Sequence, residues 1–384
     1  MKEFNITGVC VARKHYMVDI SNKINQIVEL IEKEKYFTIN RARQYGKTTT
    51  LLNIYNRLKE KYIVIDISFE AMGENAFASE NSFIEAFINL VTRSLIHNKV
   101  EQINIDNWEK GKEDLNGFDK LSQRITQLIK NCKREIILLI DEVDKSSDNK
   151  IFLHFLGMLR NKYLEREKGL DSTFKSVVLS GVYDIKNLKI KIMPNNEKKF
   201  NSPWNIASDF KVDMSFNSFE ISTMLNEYEN EHKKGIDVNK ISEEIYNFTS
   251  GYPFLVSKIC KIIDEEIDYW TNESVLEAVK QLLTETNTLF DDLIKNLEND
   301  NDLYRILEDI LISGKNYTYN IANPLINKGV IYSIFKNNTT NLQIHNKIFE
   351  IYIYNYMISK RQTSSKDKVN YETVNQFIDD FGHL

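Results

Sequence analysis

Isoleucine and valine recur at positions 24, 27, 28 and 31, a three-and-four spacing that lines one face of a helix. Residues 21–35 are therefore predicted helical, with Ser21 as the N-cap. Short apolar runs follow. YFTIN at Tyr36–Asn40, YIVIDIS at Tyr62–Ser68, EIILLI at Glu135–Ile140, KSVVL at Lys175–Leu179 and FKVDMSF at Phe210–Phe216 read as strands. Several of these runs are unbroken in their apolar character, which suits strands covered on both faces of a parallel sheet. Strand and helix alternate from about residue 36 to 216, so an α/β layered core is predicted over residues 1–216.

Strand signals stop after Phe216. Residues 217–298 read as consecutive amphipathic helices, broken at Gly235 and at Gly251-Tyr252-Pro253. A third pattern covers 299–360. DLYRILEDILISG and NIANPLINKG predict two short helices. IYSIF, Asn337-Asn338 and NLQIH predict a hairpin, and NKIFEIYIYNYMIS a closing helix. Helices followed by a hairpin wing predict a winged-helix-like module. Residues 361–370 are polar and read as a linker. In 371–384, Val374, Phe377, Ile378 and Phe381 fall on one helical face. One such helix cannot bury its apolar face alone, so it is expected to dock on the body or to precede a further element.

Composition narrows the classes. Hydrophobic residues make up 42% and charged residues 27% of 384, and the formal net charge is -5. A mildly acidic chain lacks the broad positive field that non-specific duplex binding requires. Cys10, Cys132 and Cys260 are far apart and form no CxxC pair, which argues against a zinc site or a disulfide framework. The start has no apolar run suited to a signal peptide, and Ile136–Ile140 is far too short to span a bilayer. A cytoplasmic protein is expected. The six histidines make no metal spacing, and Ser180-Gly181 lacks the GxSxG elbow of an α/β-hydrolase.

The chemistry concentrates in two places. RARQYGKTTT lies between the YFTIN strand and a helix-like stretch, the context a P-loop needs. Backbone N–H groups and a helix N-terminus converge there on phosphates, Lys47 reaches the terminal phosphates, and Thr48 takes a magnesium ion. Arg43, Gln44, Tyr45, Gly46, Lys47, Thr48 and Thr49 form the candidate nucleotide-binding stretch. The match to GxxxxGK[ST] departs at Arg41, which occupies the first glycine position and disfavours positive φ. A Gly-Lys-Ser/Thr tripeptide arises by chance on the order of 0.1–0.3 times in a chain this long, so it needs support. EIILLIDEVDK supplies it. Asp141, at a strand tip, suits magnesium, and Glu142 suits the base that activates water. The two elements lie 94 positions apart, with one strand and a helical stretch between them. KSVVL ends at Ser180, a candidate sensor of the γ-phosphate if its strand lies between the other two.

RARQYGKTTTL, LLIDEVDK, LSGVYDIKNLK, SPWNIASDFKVDMSF and SGYPFLVSKIC together resemble the bacterial AAA-like ATPases of the STAND and archaeal-ATPase type, over roughly residues 5–360. The resemblance implies a five-stranded core, a helical lid and a winged helix. It also implies that Gly251-Tyr252-Pro253 is the GxP motif, with Pro253 near the adenine. Pro253 suits that place, because it fixes φ and can open a helix. Arg160 and Arg166 are candidates for an arginine finger acting on a neighbouring subunit. Relatives often continue into a nuclease-like domain, so a truncated or naturally short form is expected.

An ATP-dependent switch with slow turnover is the predicted function, with ATP and Mg2+ as ligands and a protein partner or self-association as its output. Two alternatives stand beside it: a DNA-binding ATPase using the winged helix, and a non-hydrolysing nucleotide-binding scaffold. Against DNA, the recognition segment Tyr319–Lys328 carries one lysine and no arginine.

Overall fold

The computed structural model describes residues 2–110, 117–146, 149–182, 203–337 and 339–364. The chain divides into an α/β unit, Ser21–Arg41 with Lys47–Asp213, and a helical unit, Met1–Ile20 with Ala42–Gly46 and Met214–Leu384.

In the α/β unit four strands form an all-parallel sheet: β1 (Phe37–Asn40), β2 (Ile63–Ser68), β3 (Ile136–Asp141) and β4 (Ser176–Gly181), in the order β1-β4-β3-β2. Every residue of β3 and β4 is buried, as runs of Ile, Leu and Val with no polar alternation require. The helices are α1 (Ser21–Glu32), α2 (Lys47–Leu58), α3 (Glu80–His97), α4 (Gln102–Glu109), α5 (Gly117–Asn131) and α6 (Lys150–Glu167). Ile24, Ile27 and Ile31 of α1 are buried, the stripe that their spacing predicts. The end of α3 caps the outer edge of β2. Val64 N donates to Asn98 Oδ1 at 3.2 Å, Asn98 Nδ2 donates to Val64 O at 2.8 Å, and Asp66 N donates to Ser94 Oγ at 3.1 Å. Backbone groups that an edge strand would present to another chain are thereby satisfied within the fold. Beneath the sheet, Phe155 packs its ring 5.1 Å from Phe83 and 5.0 Å from Phe87, all three fully buried.

Among the described residues no fifth strand joins the sheet. Phe210–Phe216 was the candidate, and those residues carry no strand; a bridge between Phe37 and Ser208 lies just before them. The alternation that suggested a strand is present as burial, with Val212 and Met214 buried and Lys211 and Asp213 exposed. The hydrogen bonds go elsewhere. Val212 O accepts from the Arg41 guanidinium at 2.9 Å, and Phe210 stacks on Phe37 with centroids 5.8 Å apart. A side chain takes the carbonyl that a ladder partner would need.

The helical unit holds α7 (Ser218–His232), α8 (Val238–Thr249), α9 (Pro253–Ile262), α10 (Asn272–Thr284), α11 (Thr288–Glu298), α12 (Asn301–Leu311), α13 (Pro324–Ile331) and α14 (Lys347–Ser364). The helix breaks fall at Gly235 and Gly251, as the sequence predicts. Gly251 has φ +72°, and a Cβ there would lie 1.7 Å from Phe216 O, so no other residue fits without moving the backbone. Met1–Ile20 joins this unit. Phe4 packs 4.9 Å from Tyr16 and 5.2 Å from Tyr228, and Tyr16 Oη donates to Glu231 at 2.8 Å.

The two arms of the expected hairpin meet at one antiparallel bridge, Phe335 with Ile344, flanked by Lys336 N donating to Gln343 O at 2.9 Å and His345 N to Ile334 O at 2.8 Å. Asn341 bridges to Thr318, outside those arms, and neither bridge grows into a strand. Residues 361–364, expected to open a linker, continue α14 to Ser364 instead, and Arg361 pairs with Glu308 at 2.7 Å. The expected helix over 371–384, the turn residue Asn338 and most of the LSGVYDIKNLK segment lie outside the described residues. Among the described residues no helix is long and apolar enough to cross a membrane.

Candidate functional site

Parallel register brings three strand ends of the α/β unit to one edge of the sheet. Ile39 of β1 is level with Ser180 of β4, and Leu179 of β4 with Ile140 of β3. Ligands of open parallel sheets bind outside the carboxyl ends of the strands. β4 therefore separates the strand that enters the phosphate loop from the strand that ends at Asp141, as predicted.

The turn that Arg41 had to make is made by other residues. Arg41 is not among the positive-φ positions, whereas Gln44 (φ +56°) and Gly46 (φ +73°) are. Arg41 serves as an anchor. Its backbone N donates to Gly181 O at 3.1 Å, and its guanidinium donates to Asn40 O at 2.8 Å and Val212 O at 2.9 Å.

Lys47 is buried at the start of α2, and its Nζ donates to Arg41 O at 3.1 Å. Thr48 Oγ1 donates to Asp141 Oδ2 at 2.7 Å. That bond unites the two motifs separated in sequence. Asp141 Oδ1 accepts from Glu142 N at 2.9 Å, and Glu142 sits at φ +53°, a conformation that costs energy for a residue with a side chain. Burial holds the Glu142 carboxyl above the usual glutamate range. The Lys47 charge opposes that shift, and the Asp141, Asp144 and Glu70 charges add to it. Ser180 is fully buried, and its Oγ has no hydrogen-bond partner. Thr49 is half-buried in the first turn of α2.

Among the described residues no three His, Cys, Asp or Glu side chains converge to hold a metal. The oxygens of Thr48 and Asp141 do fit magnesium, which is held by one or two carboxylates with substrate phosphates and keeps several waters. The two arginines separate. Arg166 is committed within the unit, its guanidinium donating to Phe174 O at 2.9 Å, Lys175 O at 3.0 Å and Glu34 O at 3.1 Å. Arg160 makes one exposed bond, from Nε to Asn205 Oδ1 at 2.9 Å.

Within the helical unit the loop residues Ala42–Gly46 are gripped by aromatic and polar groups. Tyr252 Oη donates to Arg43 O at 2.6 Å, and its ring meets that of Tyr45 edge-on at 4.6 Å. Tyr45 Oη lies 2.7 Å from Ser215 Oγ and 3.0 Å from His345 Nε2. Gln44 Nε2 donates to Thr288 Oγ1 at 3.0 Å, and Arg43 pairs with Asp292 at 3.5 Å. Pro253 is buried at the first position of α9, immediately after Tyr252. Ser215 and His345 escaped the sequence reading, and Tyr252 was read only as the middle of the Gly251-Tyr252-Pro253 motif, because nothing in their spacing links them to residues 42–46. Asp144 also escaped, although its place three residues after Asp141 was a usable signal.

A family model of the AAA-like domain matches residues 9–355. An uncharacterized WD repeat-containing protein of Synechocystis sp. is 20% identical over 337 residues, which is 80% of this chain and 26% of that protein. The chain thus spans about a quarter of that relative's length. The fold is similar to that of a Walker-type ATPase of Pyrococcus abyssi, with a TM-score of 0.63 and 14% identity over 91% of this chain and 99% of that one. The ORC2 protein of Aeropyrum pernix, solved with ADPNP and ADP, gives a TM-score of 0.48 at 12% identity, over 94% of this chain and 98% of that one.

Proposed function

Because the chain belongs to the AAA-like domain family, we propose that it binds ATP with Mg2+, hydrolyses it slowly, and acts as a switch through nucleotide-driven conformational change. The observation that carries this reading is the Thr48 Oγ1–Asp141 Oδ2 bond of 2.7 Å. It puts the hydroxyl and the carboxylate that such a site needs side by side, at the carboxyl edge of a parallel sheet and next to a buried lysine. Thr48 and Asp141 would hold the Mg2+, which neutralises phosphate charge when bound. Lys47 binds the terminal phosphates. Glu142 accepts the proton of the attacking water. Ser180 Oγ offers its unused hydrogen-bonding capacity to the γ-phosphate.

The switch is supported by where residues 42–46 are held. Gly46 is joined to Lys47 by one peptide bond, while Arg43 O and Tyr45 Oη are bonded to Tyr252, Ser215 and His345 of the helical unit. A backbone rearrangement at Lys47 on nucleotide binding would act, through that peptide bond, on a loop bonded to Tyr252, Ser215 and His345. The DNA-binding alternative gains nothing from α13, whose one lysine, Lys328, is paired with Asp300 at 2.6 Å. Phosphate release with Mg2+ present, measured beside gel filtration with and without nucleotide, tests the proposal. Slow turnover with a nucleotide-dependent elution shift is expected. Turnover with no change in elution or in proteolytic pattern would leave an ATPase but remove the switch.

A further inference from the structure

We infer that Asp144 is a positioning residue for ATP turnover, fixing the Ser180 hydroxyl by holding the Gly181–Val182 peptide. The inference rests on the ATPase reading above. Val182 N donates to both Asp144 oxygens, at 2.7 and 2.6 Å, a charge-assisted contact of the stronger kind. On the other side of the same peptide, Gly181 O accepts from Arg41 N at 3.1 Å, where the phosphate loop begins. One peptide unit is thus tied to the phosphate loop through its carbonyl and to the carboxylate loop through its N–H. Ser180 is the residue just before it, and its Oγ is buried without a partner.

Gly181 is part of the same device. A Cβ there would lie 2.6 Å from Asp144 Oδ1 and 2.9 Å from Val143 Cγ2, so the absence of a side chain is what lets the carboxylate approach. Gly181 is not among the positive-φ glycines, so the requirement is for space alone. Two substitutions from opposite sides therefore perturb one contact. Asp144→Ala removes the carboxylate, and Gly181→Ala displaces it. Asp144→Asn keeps one acceptor for Val182 N and loses the charge and the second acceptor oxygen.

The test measures kcat, KM and the ratio of ATP to ADP affinity in the parent, Asp144→Ala, Gly181→Ala, Asp144→Asn, Ser180→Ala and the Asp144→Ala/Ser180→Ala double variant. A group displaced by about an ångström loses up to roughly 10²-fold in rate. We expect kcat to fall about 10- to 100-fold in Asp144→Ala, Gly181→Ala and Ser180→Ala, with KM within about twofold of the parent. The ATP:ADP affinity ratio should fall in all three, and Asp144→Asn, with one acceptor left, should recover part of both losses. The double variant should be no worse than the poorer single one, because both act through one hydroxyl. Fold-losses that multiply in the double variant, or a raised KM with unchanged kcat, overturn the inference. If Asp144→Ala does not fold, Gly181→Ala and Asp144→Asn carry the same comparison. Parental discrimination and turnover in Gly181→Ala would then overturn it. A parent that binds nucleotide while its variants behave identically refutes the role of Asp144 alone. A parent that binds no nucleotide refutes the ATPase reading, and this inference with it.

Discussion

Glu142 is held in a left-handed backbone conformation, φ +53°, at the end of a fully buried strand, and replacing it should separate activity from stability. A non-glycine residue there costs about 1–2 kcal/mol. Glycine removes that strain but gives back about 0.5–1 kcal/mol through the extra freedom of the unfolded chain. Glu142→Gly is therefore expected to stabilise the α/β unit by about 0.5–1 kcal/mol, or roughly 1–4 °C in its melting temperature. Removing a carboxylate whose charge is disfavoured by burial works in the same direction, less the attraction to Lys47 that is lost. Turnover should meanwhile collapse, because a positioned general base supplies about 10²–10⁴-fold. Glu142→Gln should lose the same rate factor without the gain from relieved strain, since it keeps the side chain and the left-handed backbone. The pH dependence has a definite sign. The base works as carboxylate, and burial raises its proton affinity. The acid limb of kcat/KM, which reports the free protein, should therefore lie at higher pH than an ordinary glutamate would give, and vanish in both variants. Scanning calorimetry and a phosphate-release assay across pH decide the matter. A Glu142→Gly protein less stable than the parent would refute the strain, and parental turnover in Glu142→Gln would refute the base.

Gly251→Ala places a Cβ 1.7 Å from Phe216 O at a φ of +72°; strain and overpacking together should destabilise the helical unit by about 2–5 kcal/mol, read as loss of its melting transition. Thr48→Val keeps the shape and removes the hydroxyl bonded to Asp141, so ATP affinity should lose most of its dependence on added magnesium, measured by calorimetry with and without the metal. Random duplex DNA should bind weakly or not at all at physiological salt, given a net charge of -5 and the pairing of Lys328 with Asp300; submicromolar, salt-sensitive binding by fluorescence anisotropy would contradict this.

What the sequence made legible follows from which interactions are local. β3 and β4 were readable because strands covered on both faces need nearly unbroken apolar runs, and the break at Gly251 because helices end at such residues. Lys47, Thr48, Asp141 and Glu142 stood out as candidates because phosphate and metal chemistry restricts residue type at fixed offsets, and the fold brings Thr48 and Asp141 together. The missing fifth strand was not. Its apolar alternation is real, but the Val212 carbonyl is taken by Arg41, a side chain 171 positions away. The same holds for Tyr45, whose hydroxyl meets Ser215 and His345. Long-range polar pairing leaves no periodic trace in the chain. The departure at Arg41 is resolved by structure as well, because the positive φ falls on Gln44 and Gly46.

The central claim is that Lys47 and its neighbours bind ATP, and calorimetric titration of Mg·ATP into the parent and into Lys47→Ala tests it most directly. Lys47 is buried at the head of α2, and the positive charge it offers to terminal phosphates lies in the same unit as Thr48, Asp141 and Glu142. The account predicts saturable, one-to-one binding in the parent and none in a Lys47→Ala protein whose circular dichroism matches the parent. Equal ATP affinity in the two proteins would contradict it.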